Sequence, residues 1–130
     1  MKTKLPKMEH SFDINVNGKE TGITYTGSFL YRRPTLGARS RIDVMNKKLN
    51  GDLTTLDENT YLFNEAISYL RFTLIEVPDF WRDADMGMNL YDSNVVVEVY
   101  NKCIEFESKF LEKLHGKAKT ESDEEFEESF

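Results

Sequence analysis

A chain of 130 residues, 39% apolar and 12% aromatic, is the size of one domain with one core, which argues against two independent folding units. Seven Gly and three Pro exclude a low-complexity or collagen-like chain. No apolar run approaches the roughly 20 residues of a membrane span, and the longest, Phe72 to Val77, is broken by Glu76. The first ten residues are basic but lack the apolar stretch of a signal peptide, and the lone Cys103 cannot form an internal disulfide. Both features lead us to expect a protein that stays in a reducing cytosol.

The net charge of -6 is unevenly divided. Residues 1–50 hold ten Lys/Arg against four Asp/Glu, while residues 51–130 hold seven against nineteen. Such a split suits two faces with different partners, or a tail that contacts the chain's own basic face. It also suits a solvated surface of mixed charge.

His10 to Val16 alternates, with Phe12, Ile14 and Val16 on one side, which is the period of a half-buried strand. Asn17-Gly18 and Gly22 supply turn chemistry. A second strand over Ile23 to Arg33 then places Tyr25, Gly27, Phe29 and Tyr31 on one face, so the pair reads as a β-hairpin. Gly27 predicts a bulge or a close approach by another backbone. Two strands alone are marginal in water, so the hairpin needs helices or another chain's sheet edge behind it.

Pro34 ends the strand and Thr35 is the expected N-cap of a helix to about Leu49, stopped by Asn50-Gly51. Its stripe is Ala38, Ile42, Met45 and Leu49, and its outer face carries Arg39, Arg41, Lys47 and Lys48. Asp57 caps the next helix, expected from Glu58 to about Glu76. Phe63, Ala66, Ile67, Leu70 and Leu74 form one stripe, widened by Leu62, Tyr69, Phe72 and Ile75, so the helix should be central. Pro78 stops it. Asp79 to Asn94 is irregular and long for a structureless connection, which points to function or to a short extra turn. Asp92 or Ser93 is the expected cap of a final helix to Leu114, with a seam of Val96, Val99, Cys103, Phe106, Phe110 and Leu114. Its first turns should be deeply buried and its last should project. A linker over 116–120 then precedes Glu121 to Phe130, whose six acidic residues and two phenylalanines cannot form a core alone.

Nothing in this pattern points to catalysis. His10 opens a strand, His115 ends a helix where a cation complements the dipole, and Cys103 lies on an apolar seam. No glycine-rich phosphate loop and no Cys/His cluster with metal spacing occurs. Asp83-x-Asp85 with Gly87 is a poor calcium loop, because Met88 and Asn94 stand where a Gly and a bidentate Glu are required. We therefore expect no enzyme, no cofactor and no metal. The basic residues around Arg32, Arg33 and the first helix could engage phosphates, but the acidic remainder opposes nucleic acid and favours an acidic protein surface. Phe80 and Trp81 follow a helix stop and read as core lids, or as interface anchors if exposed. The tail reads as a solubilising extension or as an acidic–aromatic interaction peptide carried by Phe126 and Phe130.

Tyr25-Thr-Gly-Ser-Phe29, Arg33-Pro34-Thr35 with its basic helix, Leu70-Arg-Phe-Thr-Leu-Ile-Glu-Val-Pro-Asp-Phe-Trp81 and Leu90-Tyr-Asp-Ser-Asn-Val-Val-Val-Glu-Val-Tyr100 together resemble small tailed-bacteriophage morphogenesis proteins over roughly residues 12–112. The resemblance implies a tail assembly chaperone that coats the tape-measure protein and recruits tail-tube subunits in the host cytoplasm. It equally allows a virion component of head, neck or tail. A third class, an acidic nucleic-acid mimic that inhibits a host defence, predicts carboxylates along a folded face, whereas the densest run here is in the tail. The expected fold is α+β, an N-terminal β-hairpin packed on a bundle of three main helices with a flexible acidic C-terminal tail. The expected divisions are a flexible N-terminus at 1–9, one domain at 10–115 and the tail at 116–130. Expected partners are other phage structural proteins and a homo-oligomer, with neither nucleic acid nor membrane. Phe29, Tyr31, Arg32, Arg33, Phe80, Trp81, Phe126 and Phe130 are the expected contact residues.

Overall fold

The computed structural model describes residues 7–51 and 57–128, with side chains as far as residue 115. Strands β1 (Glu9–Asn17) and β2 (Thr24–Arg32) pair antiparallel in the register Phe12↔Phe29 and Ile14↔Gly27. The alternation seen in the sequence is the alternation of burial. Phe12, Ile14, Tyr25, Phe29 and Tyr31 point into the core, while Ser11, Asp13, Thr26 and Ser28 face water.

Helix α1 (Leu36–Asn50) starts where Thr35 accepts the amide of Ala38 and ends at Gly51, whose φ of 64° is the left-handed C-terminal conformation that glycine permits. It buries no residue fully. Ala38, Ile42, Met45 and Leu49 are half-buried, and the basic residues face outward. Helix α2 (Glu58–Thr73) begins at Asp57, whose carboxylate accepts the amide of Thr60. It is shorter than its apolar pattern predicts. At Leu74 the chain turns extended and forms β3 (Leu74–Glu76), the third strand, with Leu74 opposite Tyr31 and Glu76 opposite Leu30. The sheet is antiparallel in the order β1-β2-β3. A short apolar run suits the end of a buried helix and an edge strand equally, so periodicity alone does not place this break.

Pro78 follows, and its ring lies on Gly27, where an added Cβ would sit 2.6 Å from Pro78 Cβ. Gly27 thus marks a close approach, by a proline ring and not by backbone. The irregular segment holds one short helix, α3 (Asp79–Asp83), and then a tight turn in which Asp85, Met86 and Gly87 all have positive φ. Helix α4 (Ser93–Glu128) completes the chain. Its backbone is helical through the 116–120 segment read as a linker, well past the expected stop at Leu114.

The core lies between the inner sheet face and two helices. Ile67 and Leu70 of α2, Val95, Val96, Val99 and Cys103 of α4, and Trp81 of α3 close it. The α+β expectation of a hairpin on three main helices therefore holds, with one small strand added. The expectation that α2 is central holds for one face only. Ala66, Ile67, Leu70 and Thr73 are buried, whereas Tyr61 and Leu62 are exposed.

Candidate protein-binding surface

The hairpin turn is held by a carboxylate from the far end of the sequence. Asp92, fully buried, accepts the backbone amides of Glu20 at 2.7 Å and Thr21 at 3.0 Å, the Thr21 hydroxyl at 2.6 Å and the Tyr25 hydroxyl at 3.0 Å. Four donors, the Thr21 hydroxyl foremost, hold its carboxyl below the usual carboxylate range. Its carbonyl meanwhile starts α4 by accepting Val95 N–H. Of the two expected caps of that helix, Asp92 and Ser93, the Asp92 side chain turns away to the hairpin. Gly18 lies against it, since an added Cβ would stand 2.2 Å from Asp92 Oδ2.

A second polar cluster joins the other end of the sheet to the helices. The Tyr31 hydroxyl hydrogen-bonds that of Tyr69, and Glu107 of α4 receives both Arg33 Nε and Nη2 at 2.8 Å. The Arg33 guanidinium also covers the Phe110 ring, 3.9 Å from its centre. Arg33 holds Glu107 below the ordinary range, while burial raises Tyr31 and pushes Tyr69 up to about 12. Burial likewise raises the Cys103 thiol, which stays protonated and packs as an apolar side chain.

This ion pair has a testable pH signature. Glu107 is depressed when folded, so its contribution is complete above the unfolded carboxylate value of about 4.3 and is lost as pH falls through the lower folded value. Glu107→Gln is expected to cost about 2 kcal/mol at neutral pH and to flatten the acid limb of stability, read by urea unfolding between pH 7 and pH 3.

Between α2 and α4 an apolar groove of about 490 Å³ opens to solvent, lined by Leu62, Phe63, Ala66, Val96, Val97 and Tyr100, with Asn59, Glu65 and Ser93 at its rim. Leu62 and Val97 on its two walls are 52% and 51% exposed. Side chains of this kind are usually turned inward, and this exposed pair leaves the apolar trough uncovered among the described residues. The strand order also leaves β1 at an open edge of the sheet, fringed by Glu9 and Asp13.

The expected contact residues are dispersed. Phe29, Tyr31 and Trp81 are fully buried and offer no side chain to a partner, which corrects their reading as contacts. Trp81 stands edge-on to Phe29 at 5.5 Å and is a core lid. Phe80 is half-buried against Tyr25 and Phe29. Arg33 is engaged with Glu107 and Phe110, so of the expected contacts Phe29, Tyr31, Arg32 and Arg33 only Arg32 is exposed, paired with Glu9 at 2.8 Å. Phe126 and Phe130 fall outside the side chains described.

Sequence reasoning missed the groove and Asp92. Leu62 was assigned to a buried stripe, and Val97 was counted among the buried first turns of the last helix. One signal was available, since two apolar helices each broader than one face need more cover than a hairpin provides. Among the described residues no three His, Cys, Asp or Glu gather as a metal set. No family model, curated protein or solved structure matches this chain.

Proposed function

We propose that this protein is a non-enzymatic assembly factor of a tailed bacteriophage, a tail assembly chaperone that holds hydrophobic segments of the tape-measure protein and brings tail-tube subunits to them in the host cytoplasm. The phage assignment rests on the motif resemblance. The observation that carries the binding role is the open α2–α4 groove, with Leu62 and Val97 exposed on its walls. A groove of this shape takes the apolar face of a helix, and burying such a face is how a chaperone keeps a long apolar partner soluble.

Co-expression with the tape-measure protein of the same phage tests this. The chain is expected to keep that protein soluble, to co-purify with it, and to be missing from purified particles by mass spectrometry. Retention in particles would favour a structural virion component instead, and failure to bind any tail protein would refute the assembly role. Leu62→Glu with Val97→Glu is expected to weaken capture at least tenfold while the melting temperature moves little, because both side chains are half in water already. Removing residues 117–130 should leave the fold intact and weaken partner capture. Circular dichroism and the same co-purification read both effects.

A further inference from the structure

We propose that this chain pairs with a second copy of itself along β1, antiparallel about Phe12, so that the two sheets join edge to edge and the two α4 helices lie side by side. This contact uses the flank of α4 that faces away from α2, and it leaves the α2–α4 groove open to its own partner.

The backbone tells which side of β1 is unclaimed. Arg33 N–H donates to the carbonyl of Met8 at 2.9 Å and Gly18 N–H to that of Ile23 at 2.7 Å, in the same register as the ladder between them. Even-numbered residues of β1 therefore bond β2, and the amides and carbonyls of Glu9, Ser11, Asp13 and Asn15 point out from the edge of the sheet. Edges of this kind are commonly blunted by Pro, Lys or a bulge, and the nine residues of β1 hold none of these. Its two carboxylates then select a register. Centred on Phe12, the pairing sets Ser11 opposite Asp13 and Glu9 opposite Asn15, so each carboxylate meets a side chain that can donate to it. Centred on Asp13, the same strands would oppose two carboxylates, and centred on Ser11 they would oppose Glu9 to Asp13.

Helix α4 gives an independent measure of the same axis. The Asn94 side chain donates to the Asn17 carbonyl and Phe106 stacks on His10 at 4.8 Å, so α4 runs antiparallel over β1. Scaling between these two fastenings, the point above Phe12 falls at about residue 103. At about 100° per residue, Glu98, Lys102, Glu105 and Lys109 share one flank of α4, opposite Val96 and Tyr100, which face α2 across the groove. That flank borders the free edge, because α2 leads into β3 at the far side of the sheet. Glu98 and Lys102 are half-buried, Glu105 and Lys109 are exposed, and none of the four has an ion-pair partner among the described residues. An antiparallel copy sets Glu98 against Lys109 and Lys102 against Glu105 when the axis passes between Cys103 and Ile104. Strand and helix thus choose one two-fold axis. Centring β1 on Ile14 instead would move the axis to about residue 99 of α4, where Glu105 and Lys109 meet no opposite charge.

The test uses the isolated full-length chain, with sedimentation for mass and hydrogen exchange for the strand edge. The wild type is expected to be dimeric at about 100 μM, and its Ser11 and Asp13 amides to exchange at least tenfold more slowly there than at about 1 μM. Lys102→Glu with Lys109→Glu, and separately Glu98→Lys with Glu105→Lys, should each self-associate at least tenfold more weakly. An equal mixture of the two variants should regain the dimer mass, because one chain then presents only carboxylates and the other only amines along the facing flanks. Ser11→Pro removes an outward amide that β2 does not use, and should be monomeric with the circular dichroism of the wild type. A wild type that is monomeric at about 100 μM, a dimer whose Ser11 and Asp13 amides stay unprotected, or charge variants that stay apart when mixed would overturn the proposal. Each of these outcomes leaves the chaperone reading standing, since no tail protein is present and the groove lies on the other flank of α4.

Discussion

Trp81→Ala is expected to lower stability by about 3–5 kcal/mol, measured by urea unfolding at neutral pH. The ring is fully buried against Phe29, and the chain turns tightly around it. Gly87, at φ 91°, passes so close that an added Cβ would lie 2.8 Å from the indole. Such a site cannot collapse readily onto a void, because α3 and the turn after it are themselves shaped around the ring. Trp81→Phe should cost less, about 2 kcal/mol, since the indole Nε1 has no hydrogen-bond partner among the described residues and only packing volume is lost. If the alanine variant proves as stable as the wild type, Trp81 is not the lid of the core. Because the side chain is inside, partner capture should fall only as far as the fold does.

Asp92→Ala should release the hairpin turn and lower the melting temperature by roughly 10 °C, because the buried Tyr25 hydroxyl and the amides of Glu20 and Thr21 lose their acceptor together. Hydrogen exchange should show those two amides unprotected, while amides in the middle of β1 and β2 stay slow. Asp92 is held below its usual range when folded, so its contribution is present above the unfolded value of about 3.9 and disappears as pH falls through the folded one. Asp92→Asn should therefore be less stable than the wild type at pH 7 and converge on it in acid. Gly18→Ala supplies a check that leaves the carboxylate in place. The new methyl would occupy the space of Asp92 Oδ2, so much of the same loss should follow. Ordinary stability in Gly18→Ala would show that the turn is not built around Asp92.

The two clusters at the ends of the sheet fasten a hairpin of nine-residue strands to α4. Asp92 ties its turn to the start of α4, and Glu107 ties its base to the same helix through Arg33. The groove wall formed by Val96, Val97 and Tyr100 lies between these two fastenings. If the proposed function holds, a partner helix would meet a surface fixed at both ends, which lowers the ordering cost of binding.

Period and punctuation in the amino-acid order were enough to determine several of the local elements. The alternation through Phe12, Ile14 and Val16 made β1, Thr35 and Asp57 placed two helix starts, and Gly51 ended α1, since each depends on neighbours within a few residues. The class of fold followed from them. What only the tertiary structure decided was where each broad apolar face would go. Leu74 left its helix to pair with Tyr31, Trp81 went inside, Leu62 and Val97 stayed out, and Asp92 turned from its own helix to a loop more than seventy residues earlier. Those outcomes depend on contacts between segments distant in the chain. A short apolar run or a single carboxylate is compatible with several such partners until the whole body has packed.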